Sequence, residues 1–130
     1  LDIRLGESLF LHCTATGKLF AANDPKLAVQ ALAGRMQKLT SVTITDPAKL
    51  ESEFKRIQTQ GYAKSDEESV EGIIGYAVPI YDGTGKLAAA IHISVVGKRA
   101  IKSHERKLLD TARECATQIE RHLGRAPPKP

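Results

Sequence analysis

Apolar residues along this chain recur with a period that changes from two to between three and four and back, and each change marks an element. Leu1, Ile3 and Leu5 alternate with Asp2 and Arg4, which reads as a strand, and after Gly6-Glu7-Ser8 a second extended stretch runs from Leu9 to Cys13. Thr14 to Ala22 then reads as a helix whose first turn carries threonines able to cap free amides. Asp24-Pro25 starts a second helix that runs through Ala33 and closes at Gly34, because proline suits the first helical turn. Asp46-Pro47 repeats that start signal after a loop over residues 35–45 that holds a candidate short strand. Leu50, Phe54 and Ile57 mark one face of a third helix ending before Gly61.

From Gly61 to Lys64 the chain is extended again and runs into an acidic loop. Two strands follow, Gly72 to Tyr81 and Lys86 to Val96, joined by the turn-rich Asp82-Gly83-Thr84-Gly85 as a hairpin. Ile101, Leu108, Ala112, Cys115 and Ile119 then recur at helical spacing and predict a long amphipathic helix, with Cys115 as a small buried hydrophobe on its stripe. Strands and helices segregate rather than alternate, so the class is α+β with an antiparallel sheet. Residues 1–124 make one domain and 125–130 a flexible tail.

If the turn leaves Tyr81 opposite Lys86, Gly75 faces His92, Ala77 faces Ala90, and Ile73 faces Ser94. Tyr76, Ile74, Ile91 and Ile93 then form a bulky face for the long helix to cover. The other face, with Gly75, Ala77, Ala88, Ala90 and Ser94, is too small to fill the space above it, so either a closely packed helix or a ligand must do so. His92 and Ser94 point into that face and need polar partners, the usual form of a small-molecule pocket. A complementary anion site is offered by the amides of Thr16 and Gly17 at the first helix N-terminus, unless Thr14 or Thr16 simply caps the helix.

Composition narrows the function classes. With 130 residues, 42% hydrophobic and 26% charged, the chain is ordinary globular material for one domain. Its longest apolar stretch, Ile73 to Tyr81, is too short to span a bilayer, and no membrane partner is expected. A formal charge of +4 and the absence of Trp argue against a nucleic-acid binder. The acidic run Asp66, Glu67, Glu68 and Glu71 and the basic start of the last helix, Lys98, Arg99, Lys102, Arg106 and Lys107, read as solvated surface, or as opposite patches of a subunit contact.

Cys13 and Cys115 form no C-x-x-C pair, which fits a reducing, cytoplasmic compartment. Neither Gly-Lys pair has the earlier glycine of a P-loop, since His12 and Ile80 stand there. His12 and Cys13, as adjacent strand residues, point to opposite faces and make a poor base and nucleophile. No cofactor or metal is expected. The chain lacks an initiator Met and reads as a piece of a longer protein.

Several segments, in order, resemble the effector-binding domain of IclR-type bacterial transcriptional regulators: Leu1 to Gly6, Leu11 to Lys18, Gly61-Tyr62-Ala63 with Asp66-Glu67-Glu68, Glu71-Gly72-Ile73, Ala77 to Asp82, and Leu87 to Ser94 with the closing helix. The resemblance implies a GAF-like, profilin-like sheet with helices, lacking here the family's initial helix and strand. It implies a small organic acid effector and association as a homodimer or homotetramer. DNA would be contacted only through an N-terminal helix-turn-helix domain that nothing in this sequence matches, and the chain would not be an enzyme. Carried onto this sequence, the family's pocket falls at Ala15 and Thr16, at Asp66 (beside Ser65, which aligns with the family's acidic position), and at Gly75, His92 and Ser94; Thr14 and Gly17 at the helix tip and Ala77 on the small-residue face complete the candidate set. His92, where the family has a small hydroxyl residue, has two readings: it fills the space that Gly75 vacates, or it meets an acidic ligand. The second is the expectation, with an aromatic or medium-sized carboxylic acid as the ligand. The alternatives are a GAF-like thiol enzyme using Cys13 and a ligand-free oligomerisation module.

Overall fold

The computed structural model describes residues 5–6, 8–97 and 101–125. Three helices come first: α1 (Ala15–Asn23), α2 (Pro25–Ala33) and α3 (Pro47–Gln60). Asp24 and Asp46, each before a proline, accept the amide two residues on, Lys26 at 2.9 Å and Ala48 at 3.1 Å, and so start α2 and α3 where the sequence places them. The antiparallel sheet has the order β1 (Ala63–Asp66), β2 (Ile73–Tyr81), β3 (Leu87–Val96), and α4 (Glu105–His122) closes the fold. Among the described residues this is an α+β arrangement, with β3 at the sheet edge.

The two faces of the sheet are as different as the alternation predicts. Ile74, Tyr76, Val78 and Ile80 of β2 are buried against Leu109, Ala112 and Ala116 of α4, with Ile91, Ile93 and Val95 of β3 packed beside them. Burying side chains of that size contributes about 1.5–3 kcal/mol each. Ala63 and Ala77 on the opposite face pack against Ala15 and Leu19 of α1, and this second core continues to Leu50, Phe54 and Ile57 of α3.

The hairpin register differs from the expected one. Asp82 rather than Tyr81 closes the turn: its amide donates to the Lys86 carbonyl at 2.9 Å, and Gly85 takes a φ of 84°. Tyr81 therefore lies opposite Leu87, and a further irregularity between Ile80 and Tyr81 sets Ile80 opposite Ala89. In consequence Gly75 pairs with Ser94 and Ala77 with His92. The two one-residue offsets add, so each side chain keeps its expected face, whereas a single offset would have turned all of them over.

Other expectations are corrected. Leu11, His12 and Cys13 form a turn, not a strand, because Thr14 Oγ1 reaches back to donate to the Phe10 carbonyl at 2.6 Å and folds the chain before α1. Cys115 is exposed: the buried stripe of α4 is Leu109, Ala112 and Ala116, one step round the helix from it. The acidic run is not all solvated, since Glu68 is buried. Arg125, expected to begin a tail, donates to Glu120 Oε2 at 2.7 Å and lies over the Tyr81 ring. Of the Leu1-Ile3-Leu5 alternation only Leu5 is described, in an exposed turn, and the rest lies outside the described residues, as do Lys98, Arg99 and residues 126–130.

Candidate functional site

The α1 N-terminus and the edge strand meet on the small-residue face. Thr14 caps α1, its Oγ1 accepting the Gly17 amide at 3.0 Å. That leaves the amides of Ala15 and Thr16, in the first turn, outside the cap. Gly17 is buried, and a Cβ built on it would run into the Phe10 carbonyl oxygen. The missing side chain at Gly17 therefore admits the chain's own backbone. Ala15 is buried against β2: its Cβ is 3.5 Å from where a Gly75 Cβ would stand.

His92 lies in the same neighbourhood. A Gly75 Cβ would stand 3.2 Å from His92 Cε1, so the ring occupies the space that the glycine leaves. One ring nitrogen, Nδ1, is 3.0 Å from Thr16 Oγ1, and the other, Nε2, is 3.1 Å from Ser94 Oγ. Thr16, His92 and Ser94 thus form a continuous polar line from α1 to β3, with Gly75 and Ala77 as its floor. Desolvation of the ring holds His92 below the ordinary histidine value of 6.5, favouring the neutral imidazole. His92 and Ser94 are nevertheless exposed positions on the edge strand, so the line is open to solvent at one end.

Of the two fillings expected for the small-residue face, the helix is present, with α1 over Ala63 and Ala77; over Gly75 stands the ring of His92 itself, the reading of that residue that was not the expectation. The register sets Asp66 apart. Ser65 pairs with Gly75 and shares its face, whereas Asp66 pairs with Ile74, on the α4 side of the sheet. Ser65 is buried and donates to the Cys13 carbonyl at 2.6 Å. The sequence-based set therefore separates into Thr14, Ala15, Thr16, Gly17, Gly75, Ala77, His92 and Ser94 on one face and Asp66 on the other.

A second polar cluster escapes the sequence reading. Lys18, with no exposed side-chain surface, donates from Nζ to Glu68 Oε1 at 2.9 Å, to the Lys64 carbonyl at 2.6 Å and to Glu53 Oε1 at 3.3 Å. Glu68 Oε2 also accepts the Asp66 amide at 3.0 Å. Burial holds the Glu68 carboxyl above the ordinary range, with the Lys18 ammonium pulling it back. The cluster ties α1, α3 and β1 to the loop after β1. Its one signal in the sequence is that Lys18 is the sole charged residue in an otherwise apolar or small helix.

Cys13 does not fit a reactive thiol. It is fully buried, and desolvation pushes its pKa up to about 11, opposite to what a nucleophile needs. His12 is turned away to donate from Nε2 to the Gln37 carbonyl at 2.8 Å. His104 and His122 are exposed. Among the described residues no group of three His, Cys, Asp or Glu side chains is placed to hold a metal ion, and no helix is long and apolar enough to cross a membrane.

One face of the antiparallel sheet thus lies under the long C-terminal helix and the other under the capped helix α1 and the hydroxyl-imidazole line. The profile of the bacterial transcriptional regulator IclR C-terminal family matches residues 1–121, and the chain belongs to that family. The family is one of transcriptional regulators, not of enzymes. The glycerol operon regulatory protein of Streptomyces coelicolor is 32% identical over 94% of this chain and 49% of its own length. This chain spans about half the length of the curated relatives it matches. Thermotoga maritima IclR superposes with a TM-score of 0.83 at 34% identity, covering 95% of this chain and 51% of that one. The inducer-binding domain of the Acinetobacter transcription factor PobR, a double mutant in complex with 3-hydroxybenzoic acid, gives a TM-score of 0.74 at 26% identity over 90% of this chain and 69% of that one.

Proposed function

We propose that this chain is the effector-sensing domain of a cytoplasmic DNA-binding regulator and that it takes a small carboxylic acid at the Thr16-His92-Ser94 line. The observation that carries this reading is the line itself: two hydroxyls bridged by an imidazole, next to the first-turn amides of α1, on an edge strand open to solvent. With the ring protonated, both hydroxyls turn their protons outward and the set offers a carboxylate convergent donors. The 3-hydroxybenzoic acid held by the PobR domain supports an aromatic acid as the first ligand to try. Thr14, Ala15, Gly17, Gly75 and Ala77 would shape the site, and Asp66 would not belong to it.

In this reading the domain forms a homodimer or homotetramer, and DNA is contacted by a separate helix-turn-helix domain. Ligand binding would act by shifting an equilibrium of conformation or assembly, which requires different affinities for the two states. The test is thermal unfolding with a panel of carboxylic acids running from acetate to hydroxybenzoates. A ligand that binds only the folded form raises Tm, by about 2.7 kcal/mol of stabilisation at a hundred times Kd. A second reading, a ligand-free oligomerisation module, is favoured by the packing of α1 over Ala63 and Ala77. It predicts no Tm rise with any acid and a chain that self-associates.

A further inference from the structure

A neutral imidazole carries one N–H and one bare nitrogen. Bridging two hydroxyls, it donates to one and accepts from the other, as His92 must between Thr16 Oγ1 and Ser94 Oγ. The hydroxyl that receives the ring N–H keeps its own proton free to point outward. The other has spent its proton on the ring and turns only lone pairs outward. Neutral His92 thus makes the line present one donor and one acceptor, the complement of a carboxamide or an undissociated acid. Imidazolium donates from both nitrogens, so both hydroxyl protons are released outward, the complement of a carboxylate.

We propose that His92 is the specificity-determining residue of this site, setting through its protonation how many hydroxyl protons Thr16 and Ser94 offer, so that a carboxylate is bound together with one proton from solvent and a carboxamide without one. The proposal rests on the Thr16-His92-Ser94 line being the effector site. A carboxylate over imidazolium carries one proton more than free carboxylate and neutral His92, and that proton comes from solvent.

The surroundings leave His92 to set this balance. Lys18 is the only charged residue of α1, and it is engaged by Glu68, Glu53 and the Lys64 carbonyl. On β1, Lys64 and Asp66 pair with Tyr76 and Ile74 and so lie on the α4 side. On β2 the titratable residues are Tyr76, buried on the α4 side, and Tyr81, next to the hairpin turn. His92 is the only titratable residue of β3. Cys13, before α1, is a neutral thiol near pH 7. Desolvation keeps free His92 neutral there as well, so the proton must be taken up on binding.

The experiment uses the full chain and a panel of formate, benzoate, 3-hydroxybenzoate and 3-hydroxybenzamide. NMR of the Thr16 and Ser94 amides follows binding, and calorimetry in two buffers of different ionisation enthalpy counts protons. The expected result is uptake of about one proton with each acid and none with the amide, with acid affinity falling up to tenfold per pH unit above the free His92 pKa. The His92→Gln variant, which keeps a donor and an acceptor but cannot take a proton, should bind the acids at least tenfold more weakly and lose more affinity for them than for the amide. Acid binding with no proton uptake, or equal acid affinity in His92→Gln, overturns this proposal and leaves the effector site standing. No movement of those amides with any acid overturns the effector site and this proposal with it.

Discussion

Thr16 on α1 and His92 on β3 approach to 3.0 Å, oxygen to nitrogen, and so fasten the first described helix to the exposed edge of the sheet. Because the fold favours neutral His92, holding its pKa below 6.5, the unfolded chain binds more protons between the folded value and 6.5. Stability due to this group is therefore fully present above pH 6.5 and is lost as pH falls through the folded value. Urea unfolding of wild type and His92→Gln from pH 5 to pH 7.5 should show a stability difference that changes with pH in that sense. Parallel curves would show that the His92 environment does not distinguish the two protonation states.

Gly75 sets the position of the imidazole. With a new Cβ only 3.2 Å from His92 Cε1, Gly75→Ala asks for a shift of a few tenths of an ångström and Gly75→Leu for eviction of the ring. The ring can swing toward solvent, so Gly75→Leu should stay folded, at a cost of about 1–3 kcal/mol for overpacking. It should also abolish carboxylate binding. Circular dichroism and ligand titration on the same sample check both parts, and retained binding with a displaced ring would remove His92 from the site.

Lys18 is predicted to matter for folding more than for ligand. Lys18→Met leaves Glu68 and Glu53 without their buried cation and should cost about 3–5 kcal/mol in urea unfolding. Adding Glu68→Leu to it should recover part of that loss, because a buried charge left alone costs more than an apolar replacement. A double variant less stable than Lys18→Met would contradict a compensating pair.

The two cysteines should label very differently. Buried Cys13, with its pKa pushed to about 11, holds roughly one thiolate in a thousand at pH 8, whereas Cys115 is exposed. Mass spectrometry after brief alkylation should find one label on the native chain, at Cys115, and two after denaturation. Rapid native labelling of Cys13 would reopen the thiol chemistry that its burial closes.

The helices starting at Asp24-Pro25 and Asp46-Pro47 are legible because capping is local: a carboxylate and the amide two residues on lie in the same turn. The two faces of the hairpin are legible because alternation separates bulky from small positions and the total offset of two residues keeps each on its side. The register is not, since closure at Asp82 and the bulge at Ile80 and Tyr81 depend on backbone torsions that alternation does not encode. For the same reason the resemblance groups Asp66 with Gly75, and only its pairing with Ile74 sets it on the other side. The Lys18 cluster joins residues 35 and 50 positions apart, which no local pattern relates. Cys115 sits one step off the buried stripe of α4, a rotation settled by how the helix lies on Tyr76 and Val78.

The most direct measurement is the position of a bound acid. Amide spectra of the chain titrated with 3-hydroxybenzoate, in wild type and in Thr16→Val, should show the largest shifts at Thr16, Gly75, His92 and Ser94. In Thr16→Val those shifts should need at least tenfold more acid, while the fold is unchanged. Saturable binding that instead moves residues of α3 or the α4 side of the sheet, or that ignores Thr16→Val, would place the effector elsewhere.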